Sequence, residues 1–161
     1  MFYAVLAAFA VFAAALDQIS KYLVVRFIPY GGHVDVLPGI FHLTHFHNTG
    51  MAFSMLEGGR WLFLPLTVIA LALMVLTVKK KWLTHPVSLW ALAAVAGGAV
   101  GNLIDRAFLG YVVDMIAVDF MDFAIFNVAD CFVVCGAIVL AIGVLFFEKD
   151  DKKEKDHDPA Q

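Results

Sequence analysis

The sequence predicts an all-α membrane protein with four transmembrane helices and a small extracytoplasmic β-sheet. Hydrophobic residues make up 62% of the 161 residues and charged residues only 16%, whereas soluble domains average about 45–50% and about 25%. The mean hydropathy is +0.86. Four separate segments approach the roughly 20 apolar residues that a bilayer span needs. A chain of this length is expected to form one domain.

The predicted spans are bounded by residues typical of helix ends and membrane interfaces. Trp61 opens the second span, while Trp82 and Trp90 flank the start of the third, as interfacial aromatic residues do. Pro65 falls in the first turn of its helix, where proline is tolerated. The four spans are predicted at about residues 4–27, 61–78, 87–106 and 127–147.

Lysine and arginine counts predict the orientation. The turn at 79–86 carries three lysines and the tail at 148–161 carries four, whereas the loop at 28–60 has only Arg60 and the loop at 107–126 has neither residue type. The positive-inside rule therefore places the turn and both termini in the cytoplasm and the two other loops outside. The tail is highly charged and is expected to be solvated and disordered.

The first outer loop is expected to hold the small sheet. Its segment from Val34 to Phe46 mixes β-branched, aromatic and histidine residues between Gly31-Gly32 and Asn48-Thr49-Gly50, a composition typical of strands with a turn. His45 and His47 share a face of such a strand. A metal site there is conceivable, but the chain has no HExxH motif and no acid at ligand spacing. We therefore predict interfacial histidines and no metal. The net charge of −3 argues against nucleic acid as a partner.

Polar pairs at helical spacing occur inside the spans. Asp17 and Lys21 are four residues apart, so they share a face of the first helix, either as a neutralised packing pair or as a brace behind a site. Asn102 and Arg106 share a face near the outer end of the third span. Arg106 either reaches lipid phosphate or, with Asn102, holds a substrate carbonyl or a carboxylate. Asp105 is expected to meet lipid headgroups.

Small residues are expected to serve packing. Gly97 and Gly101 form a small-xxx-small pair that lets another helix approach closely. Cys131 and Cys135 lie four residues apart in an apolar run and are predicted to be small packing residues, with a disulfide or a metal-binding pair as the alternative.

Two carboxylates at one membrane face are the candidate catalytic groups. Asp114 follows Val112-Val113, which we interpret as the end of a span, and Asp130 opens the fourth span. Acids beside hydrocarbon are costly and point to function. Asn127 and Asp130 also have helix-capping spacing. A loop can nevertheless bring Asp114 and Asp130 together, and two adjacent carboxyls favour a shared proton, the arrangement that activates water in aspartic proteases.

Five short motifs, in order along about residues 4–147, resemble the bacterial lipoprotein signal peptidase (signal peptidase II) family. They are Asp17-Gln18-Ile19-Ser20-Lys21, Asn48-Thr49-Gly50-Met51-Ala52-Phe53-Ser54, Gly97-Gly98-Ala99-Val100-Gly101-Asn102-Leu103-Ile104-Asp105-Arg106, Val112-Val113-Asp114-Met115 and Phe126-Asn127-Val128-Ala129-Asp130. Each motif alone is weak, but the ordered set is highly specific.

The resemblance implies a four-helix aspartic endopeptidase of the bacterial cytoplasmic membrane without a cofactor. Such enzymes remove the signal peptide from diacylglyceryl-modified prolipoproteins just before the lipidated cysteine, so prolipoproteins and membrane lipids are the implied partners. The outer loop is then expected to form a β-cradle over the site. The resemblance makes Asp114 and Asp130 the catalytic pair. It gives supporting or substrate-binding roles to Asp17, Lys21, Asn48, Gly50, Asn102, Arg106 and Asn127.

Two other classes of protein also carry acids in membrane spans. A proton or ion channel would place them near the bilayer midplane, whereas these cluster at one face. A non-catalytic assembly factor would use the glycines and the Asp17–Lys21 pair for packing but would not need both Asp114 and Asp130.

Overall fold

Four long helices form the membrane part of the protein. The computed structural model describes residues 1–50 and 60–148, so Met51–Ser54 of the second motif and the predicted tail beyond Glu148 lie outside the described residues. Each helix is long and apolar enough to cross a membrane. The helix ends differ from the predicted ends of the spans by at most two residues. The helices are α1 (Phe2–Phe27), α2 (Arg60–Lys79), α3 (Pro86–Phe108) and α4 (Val128–Ile142), which continues as a π-helix over Gly143–Phe147.

Helix α3 lies at the centre because its glycines let both neighbours approach closely. A Cβ atom at Gly97 would lie 2.7 Å from the Cβ of Ala13 on α1. A Cβ atom at Gly98 would lie 2.9 Å from Cγ2 of Val133 on α4 and closer still to the Ala129 carbonyl. Real Cβ atoms do not come this close, so a larger residue would push the helices apart. The expected packing role of Gly97 is thus confirmed, and Gly98 extends it to α4.

A three-stranded antiparallel sheet lies at one end of the helices. Strands β1 (His33–Leu37) and β2 (Phe41–Asn48) come from the loop in which a sheet was predicted, and the order is β1-β2-β3. The third strand, β3 (Val112–Val118), was not foreseen. Asp114 therefore lies within a strand and not at the end of a span, as the sequence had suggested. The four residues Val112–Met115 are buried. A strand that is buried on both faces has mostly apolar residues in succession, so its sequence resembles that of a membrane span.

The sheet is fastened to the helices on both sides of β3. Val24 of α1 and Ile28, which directly follows that helix, pack with Met115 in one apolar cluster. The segment before α4 also pairs with the strand, since the amide of Ile116 donates to the Phe126 carbonyl at 2.8 Å and Phe126 donates back at 3.1 Å. This pairing holds the start of α4 beside β3, where Asp114 lies.

Glu148 corrects the expectation that the solvated tail begins at this residue. It is buried, and its Oε1 accepts hydrogen bonds from the backbone amides of Thr84 and His85, both at 2.9 Å. Burial raises the pKa of Glu148, but the hydrogen bonds from His85 and Thr84 outweigh that effect and hold the pKa below its ordinary value. Amides at a helix N-terminus lack partners within the helix and favour an anion. Glu148 thereby ties the end of α4 to the start of α3.

We expect Gly98→Val to lower the free energy of unfolding by about 1–3 kcal/mol, because an added side chain overpacks the α3–α4 contact. Thermal unfolding in detergent would measure the loss. Ala99→Val is the matched control on the same helix, at a residue that is only partly buried. Equal stability of the two variants would contradict the close-packing role of Gly98.

Candidate active site

Asp114 and Asp130 meet at one cavity near the sheet end of the helices. Asp114 comes from β3 and Asp130 from the first turn of α4, and both line a cavity of about 460 Å³. Most other wall residues are apolar. The convergence expected from the sequence is therefore present. The remaining lining residues are Asn48, Asn102, Arg106, Val112, Phe123, Ala124, Ile125, Phe126, Cys131, Val133, Val134 and Cys135.

Asn127 both caps α4 and bridges the two carboxylates. Its Oδ1 accepts from the Asp130 amide at 2.9 Å, and the Asp130 Oδ2 accepts from the Asn127 amide at 3.1 Å, which completes a capping box. The Asn127 Nδ2 donates to Asp114 Oδ1 at 2.6 Å. The capping role and the orienting role, which the sequence left as alternatives for this motif, are therefore filled by one side chain.

Two further amides complete the support of the pair. Asn48 Nδ2 donates to Asp114 Oδ2 at 2.8 Å, and Asn102 Nδ2 donates to Asp130 Oδ1 at 2.8 Å. The Gly50 amide in turn donates to Asn48 Oδ1 at 2.9 Å and fixes that side chain. Each of the four carboxylate oxygens thus accepts one hydrogen bond, so the two groups have little freedom to rotate.

Lys21 fixes the orientation of the Asn102 amide. Its Nζ donates to Asn102 Oδ1 at 2.9 Å. An ammonium group only donates, so the amide oxygen must face Lys21 and the amide nitrogen must face Asp130. Lys21 Nζ also lies 2.8 Å from Asp17 Oδ2 and 2.9 Å from Asp105 Oδ2.

Asp17 and Lys21 lie directly behind the carboxylate pair. Asp17 is fully buried, and its Oδ1 accepts from the Ala129 amide, one residue before Asp130, at 2.9 Å. The Asp17–Lys21 pair therefore does both things that the sequence offered as alternatives: it packs between helices, and it supports the site from behind.

Asp105 is not at the headgroups, as the sequence had suggested. It is 3% exposed, pairs with Lys21, and accepts from the Val113 amide at 3.0 Å and from Gln18 Nε2 at 2.8 Å. Sequence reasoning also missed Gln18. Helical spacing gives a partial signal, because Asp105 lies three residues from Asn102 and Gln18 lies three residues from Lys21, but it does not show that the two helices bring them together. These contacts connect α1 and α3 to the strand that carries Asp114.

Arg106 points into the protein and lines the cavity. Its guanidinium donates to the Gly50 carbonyl at 3.3 Å and lies 5.2 Å from the centre of the Phe63 ring. These contacts favour the site-binding interpretation of Arg106 over the interpretation as a lipid-phosphate contact.

The histidines of the sheet form hydrogen bonds with neighbouring groups. His45 Nδ1 lies 3.0 Å from the Ile28 carbonyl, which can only accept, so the other ring nitrogen of His45 accepts from His47 Nε2 at 3.1 Å. Burial, followed by the repulsion that His47 would feel from His45 if both rings were protonated, lowers the pKa of His47. His42 pairs with Asp119 at 2.6 Å. Within residues 1–50 and 60–148 no three potential ligands cluster as a metal site would require.

Burial shifts the titration of Asp114 toward neutral pH. Its side chain is almost fully inaccessible. The pKa of Asp114 is raised to about 6, mainly by burial; the hydrogen bond from Asn48 opposes this rise, and the nearby charge of Asp130 contributes to it. A carboxyl with such a pKa can hold or release a proton under ordinary cellular conditions, which is the property that acid–base catalysis needs.

The fold and the site define a polytopic membrane enzyme whose cavity holds two amide-supported carboxylates. The family model described as signal peptidase (SPase) II matches residues 9–146. The chain therefore belongs to the signal peptidase II family, membrane aspartic peptidases that cleave signal peptides from prolipoproteins.

Relatives and solved structures agree with this assignment. The chain is 45% identical over 143 residues to the lipoprotein signal peptidase of Enterococcus faecalis, covering 87% of each chain. It is 44% identical over 140 residues to that of Streptococcus pyogenes serotype M2, covering 84% of this chain and 89% of the relative. It also resembles a bacterial membrane enzyme solved by the in meso method at 2.3 Å, with a TM-score of 0.84, 29% identity, and coverage of 98% of this chain and 94% of that one. A second such structure, at 1.9 Å, has a TM-score of 0.82, 32% identity, and coverage of 89% and 94%.

We expect Lys21→Met to destabilise the protein by about 3–5 kcal/mol, because it leaves Asp17 and Asp105 buried without their cation. Thermal unfolding in detergent would measure the loss, with Lys80→Met, at an exposed lysine, as the control. A Lys21→Met protein as stable as the control would show that the buried ammonium does not hold the helices together.

Proposed function

We propose that Asp114 and Asp130 are the catalytic pair of a peptidase that cleaves diacylglyceryl-modified prolipoproteins just before the lipidated cysteine. The observation that carries this proposal is the pair itself, two carboxylates from different elements held by three asparagine amides at one cavity. The apolar wall suits a substrate that arrives from the lipid phase with its acyl chains still in the bilayer.

The two carboxyls are proposed to share one proton. Like charges in a buried site disfavour double ionisation. The raised pKa of Asp114 supports placing that proton on Asp114 and assigning Asp130 as the base. Asp130 then takes a proton from water as the oxygen attacks the scissile carbonyl, while Asp114 donates its proton to the carbonyl oxygen. Collapse of the tetrahedral intermediate breaks the C–N bond as Asp130 passes its proton to the leaving amine and Asp114 takes back the proton from the hydroxyl it had protonated, which restores the starting state of the pair.

The neighbouring residues are proposed to position these groups and the substrate. Asn127 and Asn102 orient Asp130, and Asn48, held by Gly50, orients Asp114. Arg106 is the cationic donor in the wall and is suited to hold a backbone carbonyl of the substrate. Asp17 and Lys21 act through Asn102 and the start of α4.

The protein is proposed to lie in the bacterial cytoplasmic membrane with its active site at the outer face. The lysine-rich turn precedes α3 at one end, and Asp114 follows α3 at the other. With the turn in the cytoplasm by the positive-inside rule, the carboxylates face outward and both termini face inward. We further propose that the chain up to Glu148, whose carboxylate is bound by the start of α3, forms the single peptidase domain and that the chain beyond it is a cytoplasmic tail.

Asp114→Asn and Asp130→Asn are each expected to lower the rate of prolipoprotein cleavage by about 10²–10⁴-fold, the usual contribution of acid–base groups. The assay is cleavage of purified diacylglyceryl-prolipoprotein by detergent-solubilised protein, with a chelator present throughout. Asp35→Asn, at an exposed carboxylate of β1, is the control and should cleave normally.

Cleavage by folded Asp114→Asn or Asp130→Asn protein at the wild-type rate would refute the proposed pair. Inhibition of wild type by the chelator would instead implicate a metal, and the sheet histidines would be the first residues to substitute.

The logarithm of kcat/KM is expected to fall with a slope of −1 as pH rises through about 6, because the protonated form of Asp114 is the active one and its pKa is about 6. Asn48→Ala should move this limb to higher pH, since its hydrogen bond stabilises the ionised carboxylate and lowers the pKa. Cleavage rates from pH 5 to 8 test both statements. A limb that stays in place in the variant would contradict the assignment of the proton to Asp114.

A further inference from the structure

Two free thiols lie in the wall of the cavity, beside one of the proposed catalytic carboxylates. Cys131 follows Asp130 directly and Cys135 lies one helical turn further along α4, and both side chains line the cavity. Cys131 is partly buried and Cys135 is exposed. Both cysteines border the cavity, whereas Ala129 and Gly136 of the same helix face α3.

The spacing of the thiols allows one small group to bind both. Residues four apart on a helix have Cβ atoms about 5–6 Å from each other on one face, and rotation about χ1 brings the two sulfurs closer. A group held by both sulfurs would occupy the cavity next to Asp130. The walls around it are apolar residues such as Val134 and Phe126, which suit an uncharged reagent that enters from lipid.

We propose that Cys131 and Cys135 form a dithiol site that binds soft, apolar electrophiles, above all trivalent organoarsenicals, and that its occupation blocks prolipoprotein cleavage. The blocking of cleavage rests on the proposed function, whereas the binding does not. Thiols are the softest ligands that proteins offer.

The binding step is a balanced exchange at arsenic. An arylarsine oxide reacts with the two thiols so that two As–S bonds form and the two S–H bonds and the As=O bond break. The two protons and the oxygen leave as water, and arsenic stays trivalent, so no oxidant or reductant is needed. A monofunctional maleimide reacts differently, because one sulfur adds to its C=C bond and the proton goes to the neighbouring carbon.

The test uses phenylarsine oxide on the full chain in detergent, read by intact mass and by cleavage rate. Wild type should take up one phenylarsenic group at the expense of two thiols, and cleavage should fall at least tenfold and return when excess ethanedithiol is added. Cys131→Ser and Cys135→Ser should each lose tight arsenical uptake but still accept one maleimide. Each variant is compared with its own untreated rate.

A relocated pair of thiols provides the matched control. Ile138 and Ile142 are also four residues apart on α4, are exposed, and do not line the cavity. The chain with Cys131→Ser, Cys135→Ser, Ile138→Cys and Ile142→Cys should bind the arsenical without losing cleavage relative to its own untreated rate.

Each failure identifies a different error. If wild type binds no arsenical, or if a single thiol suffices, the dithiol site is refuted. If wild type binds the arsenical but cleaves at its untreated rate, or if the arsenical on the relocated pair also blocks cleavage, then occupation of the cavity by the thiol-bound group does not inhibit cleavage. If untreated wild type does not cleave at all, the proposed function fails, and the mass measurements still decide whether the dithiol site exists.

Discussion

The buried ammonium of Lys21 is the interaction on which the site depends. A cation in a membrane-embedded core is tolerated only when its donors are paired, and here three oxygens accept from it. Each acceptor leads to a different part of the site. Asn102 donates a hydrogen bond to Asp130 and so orients that carboxylate. Asp17 accepts from the amide of Ala129 at the start of α4. Asp105 accepts from the amide of Val113 in β3. One charge thus positions both elements that carry the proposed catalytic pair.

Close helix packing makes this network possible. Gly101 lets Asp17 reach across the α1–α3 contact, since a Cβ there would lie 2.5 Å from Asp17 Oδ2. The glycines of α3 therefore do more than stabilise the helices, because they also determine how near the charged groups can come. At the opposite end of the helices, Glu148 caps α3 from the end of α4. The two helices that flank the cavity are thereby held together at both ends.

Much of this architecture could be predicted from local patterns in the sequence. The spans follow from hydropathy, the capping of α4 follows from the spacing of Asn127 and Asp130, and the shared faces follow from helical pitch. These features depend on residues close together in the chain. The third strand was missed because a fully buried strand and the end of a membrane span are both continuous apolar runs.

The other missed features depend on contacts between distant segments. Asp105 is one residue from the Asn102–Arg106 face, and only the position of α1 determines that it meets Lys21. Glu148 looked solvated because its neighbours in sequence are charged, while its partners Thr84 and His85 lie more than sixty residues earlier. The bridging of Asp114 by Asn127 likewise required the sheet to be in place, because the strand pairing with Phe126 sets their separation.

The protonation of the pair can be observed directly by infrared difference spectroscopy of protein labelled with ¹³C at the aspartate carboxyls. We expect one protonated carboxyl band that disappears as pH rises through about 6 and that is absent from Asp114→Asn. A spectrum in which no carboxyl titrates in this range, or in which the band survives in Asp114→Asn and is lost only in Asp130→Asn, would contradict a shared proton held by Asp114.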